Sequence, residues 1–315
     1  MLGIAYAASI GGMATLVGTP PNLLFAGQAP TLAPGTGEVS FARWMLLGLP
    51  LSVAYLSLAW AYLAFLVLRP SPTPSDPPAP SRPAPQAPMT WPQRAVTFVF
   101  LATVFAWVFK TDLDLGAFTL PGWATWLGLE VHDATIALTA ALILFVLPSG
   151  RGRRDFVLDW RTAASIPWEV LILFGGGFAL AQGFVASGLA ERLGALLSAL
   201  DVLPLPLVIL ALCVVVVVGS EIASNTALTA IILPVAAATA QGMGLHPYWL
   251  MVPATLAAST GFMLPVATPP NAVAFASGYV TAPQMAKAGV VLDLLGILLV
   301  TAASLTLLPW AFSLT

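Results

Sequence analysis

Gly18-Thr19-Pro20-Pro21-Asn22 and, about 250 residues later, Ala267-Thr268-Pro269-Pro270-Asn271 read almost alike, and each follows a further match, Ala8-Ser9 with Met13 and Ala258-Ser259 with Met263. Both lie in mostly apolar segments. Consecutive prolines remove two backbone N–H donors, so the carbonyls four residues back, Leu16 and Val17, then Pro265 and Val266, lose their helical partners. The threonine ahead of the prolines is pushed out of helical geometry, whereas the first proline suits the opening position of a new helix. Each copy is therefore expected to break a helix in mid-segment. The free carbonyls suit a hard monovalent cation, and the positive end of the half-helix dipole suits an anion. The doubling says that one structural unit was used twice.

Composition places these breaks in a membrane. Of 315 residues 59% are hydrophobic and 8% charged, and the mean hydropathy is +0.93, a balance foreign to water-soluble domains. A net charge of -2, with basic residues scattered in short loops, gives no surface for nucleic acid. The single Cys213 excludes a disulfide framework or thiolate metal site. His132 and His246 are distant loop residues, not a metal pair. The N-terminus, Met1-Leu2-Gly3-Ile4, lacks the charged region of a signal peptide and reads as the start of a membrane span.

Spanning helices need about 20 apolar residues, and segments 44–68, 93–110, 134–148, 166–190 and 288–311 approach that. Three further stretches are interrupted: 1–27 and 247–279 at the doubled motif, and 203–240 at Gly219-Ser220-Glu221 and Ser224-Asn225-Thr226. The arms of 203–240 read as about 14–15 residues each, about 22 Å and short of the membrane core, so this stretch is expected to be a re-entrant hairpin. Irregular backbone at that depth survives only where protein or a wet cavity borders it, so the tip should line a site. Ser224, Asn225 and Thr226 can cap a helix start or donate to carboxylate oxygens. The layout is thus 1–68 (broken helix plus one span), a Pro-rich cytoplasmic connector 69–92, and 93–315 (three spans, hairpin, broken helix and last span).

Arg151, Arg153, Arg154 and Arg161 put loop 149–161 in the cytoplasm, as Arg69, Arg82 and Arg94 do the connector, while Asp112, Asp114, Glu130 and Asp133 put 110–133 outside. Continuing the count leaves the C-terminus outside. Of the remaining polar residues at depth, Glu221 reads as a structural carboxylate capping a break in preference to a coupling group, and Glu169 as a first-turn acid paired with the helix dipole. Asp293 reads as snorkelling near the cytoplasmic interface or pairing with Lys287 in preference to carrying a proton, and Gly175-Gly176-Gly177 as permitting close helix contact. No Ser/His/Asp set, paired aspartates or metal cluster supports an intramembrane enzyme.

In combination, Gly11-Gly12-Met13 with the first Thr-Pro-Pro-Asn, Ile166-Pro167-Trp168-Glu169 with Phe174-Gly175-Gly176-Gly177, Glu221 with Ser224-Asn225-Thr226, and the second Thr-Pro-Pro-Asn resemble the divalent anion:sodium symporter family. The resemblance implies an all-α polytopic fold of two inverted repeats in the cytoplasmic membrane, a homodimer, and elevator-like sodium-coupled symport of di- or tricarboxylate anions without a cofactor. Exchange, sulfate transport or a non-transporting component are the alternatives. Carried over, Ser224, Asn225, Thr226, Thr19, Pro20, Thr268 and Pro269 would meet substrate, and Gly18, Ser224, Asn225, Ala267 and Pro269 would meet sodium. The family pattern has a further Ser-Asn-Thr hairpin before the first Thr-Pro-Pro-Asn, so on this resemblance the chain reads as the C-terminal portion of such a transporter.

Overall fold

A computed structural model describes residues 1–36, 38–67, 88–114, 119–150, 155–166, 168–189, 192–193, 195 and 202–314. Most of the connector 69–92 lies outside these residues, as do Arg69, Arg82, Arg151, Arg153 and Arg154. Regular structure is almost wholly helical: α1 (Leu2–Gly12), α2 (Pro20–Leu32), α3 (Phe41–Tyr62, continued by a wider π turn to Val67), α4 (Trp91–Val108), α5 (Trp123–Leu127), α6 (Asp133–Val146), α7 (Trp160–Ala163), α8 (Trp168–Ala186), α9 (Leu205–Ile222), α10 (Asn225–Gly242), α11 (Tyr248–Ala257), α12 (Pro269–Ala276), α13 (Ala282–Thr306) and α14 (Leu308–Phe312). A two-residue antiparallel ladder pairs Leu113 with Leu120 and Asp114 with Thr119. Among the described residues, Phe41–Val67, Trp91–Val108, Leu205–Ile222 and Ala282–Thr306 are long and apolar enough to cross a membrane. This is a polytopic membrane protein.

The expected segments are helical with shifted ends. The segment expected at 134–148 yields a helix of 14 residues, and the last begins at Ala282 rather than 288 because Thr281 and Gln284 form a capping box there. The arms of 203–240 are longer than expected, 18 residues each. Gly219-Ser220-Glu221 does not break α9: Ser220 Oγ donates to Val217 O within the helix (2.8 Å), and Glu221 finds partners outside it, described below. The only interruption is Ala223-Ser224.

Two compact units result, one of Met1–Arg69 with Trp168–Thr315, the other of Pro70–Pro167. In the second, α4 packs on α6, Lys110 pairs with Asp133 at the start of α6, and Trp107 Nε1 donates to Asp133 O at 3.0 Å. The first unit holds the doubled motif. At its centre Phe262 meets Tyr6 and Tyr55 edge-on, with centroids 5.2 and 5.8 Å apart. His246 Nδ1 accepts from Tyr248 N at 3.2 Å in the loop before α11, and partial burial lowers its pKa. Of the three consecutive glycines only Gly177 lies against a neighbour: its carbonyl accepts from Gln28 Nε2 at 2.9 Å, while added Cβ atoms on Gly175 and Gly176 would meet open space.

The second helix after each break seats on the break through a glycine. Gly48 and Gly289 are the eighth residues of α3 and α13. A Cβ on Gly48 would lie 2.6 Å from Met13 O, and one on Gly289 2.3 Å from Phe262 O. Backbone cannot yield as a flexible side chain can, and overpacking costs about 1–3 kcal/mol or more. Gly289→Ala is accordingly expected to lower the melting temperature of the detergent-solubilised protein by about 2–10 °C. An unchanged transition would mean that α13 slides away without cost.

Candidate functional site

Both motifs break their helices as the prolines require. The chain is non-helical from Met13 to Thr19 between α1 and α2, and from Ala258 to Thr268 between α11 and α12. Thr19 and Thr268 hold nearly the same extended backbone, with φ/ψ of -137/146° and -138/149°, and a Pro-Pro pair opens the helix behind each. Among the described residues the carbonyls of Leu16, Val17, Pro265 and Val266 accept no hydrogen bond.

The asparagine ending each motif holds the rest of the break. Asn22 Nδ2 donates to Thr15 O (2.8 Å) and Gly12 O (3.4 Å). Asn271 Nδ2 repeats this with Leu264 O (3.1 Å) and Gly261 O (3.2 Å). Unpaired backbone at membrane depth is costly, and one amide on the new helix satisfies two carbonyls of the chain leading up to it. The two sides come very close in the first copy: a Cβ on Gly18 would fall 2.2 Å from Gly12 O, which requires glycine there.

The two copies then exchange contacts. Ser9 Oγ, from the first copy, donates to Thr268 Oγ1 of the second (3.4 Å), and Ser259 Oγ, from the second, donates to Thr19 Oγ1 of the first (3.3 Å). Between them opens a cavity of about 430 Å³, which the tip between α9 and α10 also borders. Every residue carried over as a substrate or sodium contact, Gly18, Thr19, Pro20, Ser224, Asn225, Thr226, Ala267, Thr268 and Pro269, lines it. Ser9 and Ser259 line it as well. They were legible only as part of the repeated Ala-Ser pair, with nothing in the sequence to aim them at a site.

Three helices therefore begin at this cavity: α2 at Thr19, α10 at Ser224 and α12 at Thr268, each start carrying a partial positive charge. The caps are only partly spent. Thr268 Oγ1 accepts from Asn271 N at 3.4 Å and Ser224 Oγ from Ala227 N at 3.5 Å, whereas the Thr19 side chain makes no capping bond. Asn225 Oδ1 is buried without a hydrogen-bond partner. Among the described residues no Arg or Lys lines the cavity, and no group of three His, Cys, Asp or Glu that could hold a metal occurs. The volume falls in the range of small-molecule sites.

The second break carries a support that the first lacks. Glu221, 3% exposed, accepts from Met263 N at 2.9 Å and Leu264 N at 2.7 Å. Its expected structural role thus applies to the turn between α11 and α12, not to its own hairpin. Asp293, also 3% exposed, neither snorkels nor pairs with Lys287; its Oδ1 accepts from Phe262 N at 3.1 Å.

A family described as "Sodium:sulfate symporter transmembrane region" matches residues 1–314. Among curated proteins the chain is similar to a sodium-dependent dicarboxylate transporter SdcS of Staphylococcus saprophyticus, 36% identical over 98% of this chain and 58% of that protein. The protein of the same name in Staphylococcus aureus is 34% identical, over 95% of this chain and 56% of its own length. The chain spans little more than half the length of the curated relatives it matches.

Proposed function

The chain belongs to the sodium:sulfate symporter family, and on that premise we propose that it works as a sodium-coupled symporter of di- or tricarboxylate anions in the cytoplasmic membrane. One observation carries the substrate class: three helix starts and their neutral hydroxyl and amide groups surround one cavity that no basic side chain among the described residues lines. A carboxylate there accepts from Ser224, Asn225, Thr226, Thr19 and Thr268, with Pro20 and Pro269 setting the backbone that aims the threonines. The anion still lacks a counter-charge. Sodium supplies it, held at the break loops by Gly18 on one side and by Ala267 and Pro269 with Ser224 and Asn225 on the other.

In this reading coupling is electrostatic and reciprocal. An anion bound by neutral donors is retained only with cations beside it, and those cations gain affinity from the anion by the same factor. The reciprocal Ser9–Thr268 and Ser259–Thr19 contacts and the matched Gly48 and Gly289 favour two inverted repeats. Their loops and the α9–α10 pair, taken as a re-entrant hairpin, meet at the membrane midplane. A homodimer with the C-terminus outside completes the proposal, and no covalent chemistry is involved.

Uptake of labelled succinate into proteoliposomes tests it. Accumulation should require an inward sodium gradient and vanish when potassium replaces sodium. Equal uptake in potassium would sink sodium coupling. Sulfate displacing label better than succinate or citrate would reassign the substrate, and label movement only against internal dicarboxylate would make the protein an exchanger.

A further inference from the structure

Beneath the second break two buried carboxyl groups meet with no Arg or Lys side chain paired to them among the described residues. Glu221 near the end of α9 and Asp293 on α13 divide three consecutive backbone donors: Phe262 N goes to Asp293 Oδ1, Met263 N to Glu221 Oε1 and Leu264 N to Glu221 Oε2. Donors on successive residues of one turn draw the two side chains together, and the carboxyl groups stand within hydrogen-bonding reach of each other. Asp293 Oδ2, the remaining oxygen, is buried and receives no donor.

Among the described residues no basic side chain pairs with either carboxyl group. Lys287 on α13 is exposed, and the ion pair found among the described residues, Lys110 with Asp133, belongs to the other unit. From α1, Tyr6 donates its hydroxyl to Met285 O (3.2 Å); from α3, Tyr55 donates to Leu292 O (2.6 Å) and Tyr62 to Lys287 O (3.4 Å). The phenolic protons are thus spent elsewhere. On α9, Cys213 lies two turns from Glu221, against Thr301. The titratable group of α11 is Tyr248, which bonds Thr36, and α10, α12 and α14 carry none. Two like charges in contact, both out of water and unpaired with a cation, are strongly unfavourable.

The first copy makes the contrast. Asp293 is the twelfth residue of α13, and the twelfth of α3 is Ser52, a neutral hydroxyl that donates to Ile10 O at 2.9 Å. Only the second break carries this acidic pair.

We propose that Glu221 and Asp293 form a proton-binding site, holding one proton from water between them with Asp293 Oδ2–H donating to the Glu221 carboxylate. The pair then bears a single negative charge, Oδ2 gains its missing partner, and all three N–H groups of 262–264 keep their acceptors. Because Leu264 O in turn accepts from Ala267 N (3.2 Å) and Asn271 Nδ2, the proton latches the turn that leads into the cavity wall at Ala267.

Infrared spectroscopy of the purified protein in lipid reads the proton directly, whatever the protein transports. At neutral pH one buried carboxylic-acid C=O band per chain is expected, shifting in deuterium oxide and lost in both Asp293→Asn and Glu221→Gln. Asp293→Asn keeps an acceptor for Phe262 N and places an N–H where the proton sat, so it should elute as the native species. Absence of the band in the wild-type protein, as when sodium bridges two ionised carboxylates, would overturn the site, and so would a band that survives in both variants. Should a variant not fold, the wild-type titration decides: the band must disappear at alkaline pH as the proton leaves, and a spectrum without any acid band at neutral pH ends the proposal.

Discussion

Asn225→Ala is expected to abolish sodium-driven succinate uptake, and to do so without unfolding the hairpin. The Asn225 contact that supports α10 runs through its main chain, whose carbonyl accepts from Thr229 Oγ1 at 2.6 Å, and survives the substitution. What is lost is a buried amide whose Oδ1 has no partner among the described residues, at a cavity shared with both break loops. If that oxygen binds sodium while the amide nitrogen donates to the carboxylate, two interactions with charged groups disappear, each worth about 1.5–3 kcal/mol. Uptake at low substrate should then fall roughly 10²–10⁴-fold. A rise in melting temperature with added sodium, the result expected of the wild-type protein if sodium binds there, should vanish with it. Asn225→Asp separates the two roles: it keeps an oxygen for the cation and sets a negative charge against the anion, so the sodium shift should persist while uptake is lost. Wild-type uptake by Asn225→Ala would remove Asn225 from the site.

Much of this site could be read before the structure because its grammar is local. Pro20-Pro21 and Pro269-Pro270 dictate a break wherever they occur in a helix, and Ser224 followed by an apolar run signals a helix start. That both loops and the tip serve one site was implied by the family resemblance, not by the doubling. Roles that depend on partners far away in sequence were not legible. Asn22 and Asn271 ended the motif, yet nothing local revealed that they clasp the carbonyls seven and ten residues back. Gly219-Ser220-Glu221 resembled a helix break because polarity in an apolar run usually marks one, but Glu221 is satisfied by a turn 42 and 43 residues away. Asp293 was read against the nearest charge along its own helix, Lys287, while its partner Phe262 lies 31 residues upstream. Gly48 and Gly289 carried no signal at all, since their need for hydrogen in place of a side chain exists only once two segments touch.

Glu221→Ala is the substitution expected to damage the fold most. It deletes the acceptors of Met263 N and Leu264 N, at 2.9 and 2.7 Å, in a region where Glu221 itself is 3% exposed and water has little access. Each buried N–H left without a partner costs about 1–3 kcal/mol, and a void the size of the lost side chain adds to it. Roughly 2–6 kcal/mol is a large part of the 5–15 kcal/mol that usually separates folded from unfolded. The loss should fall on one place, the turn between α11 and α12, whose other side is the cavity wall at Ala267 and Thr268. Fluorescence-detected chromatography should show little of the native species, and any that remains should melt about 5–20 °C lower. Glu221→Gln keeps one carbonyl acceptor but turns an amide donor toward a backbone N–H, so it should fall between the two. Ser52→Ala, at the matching place on α3, removes a single neutral hydroxyl from a helix that still packs, and should cost about 1 kcal/mol. A native elution profile and unshifted melting for Glu221→Ala would mean that the turn is held by Asn271 and Gly289 alone, and that the carboxylate is present for some purpose other than support.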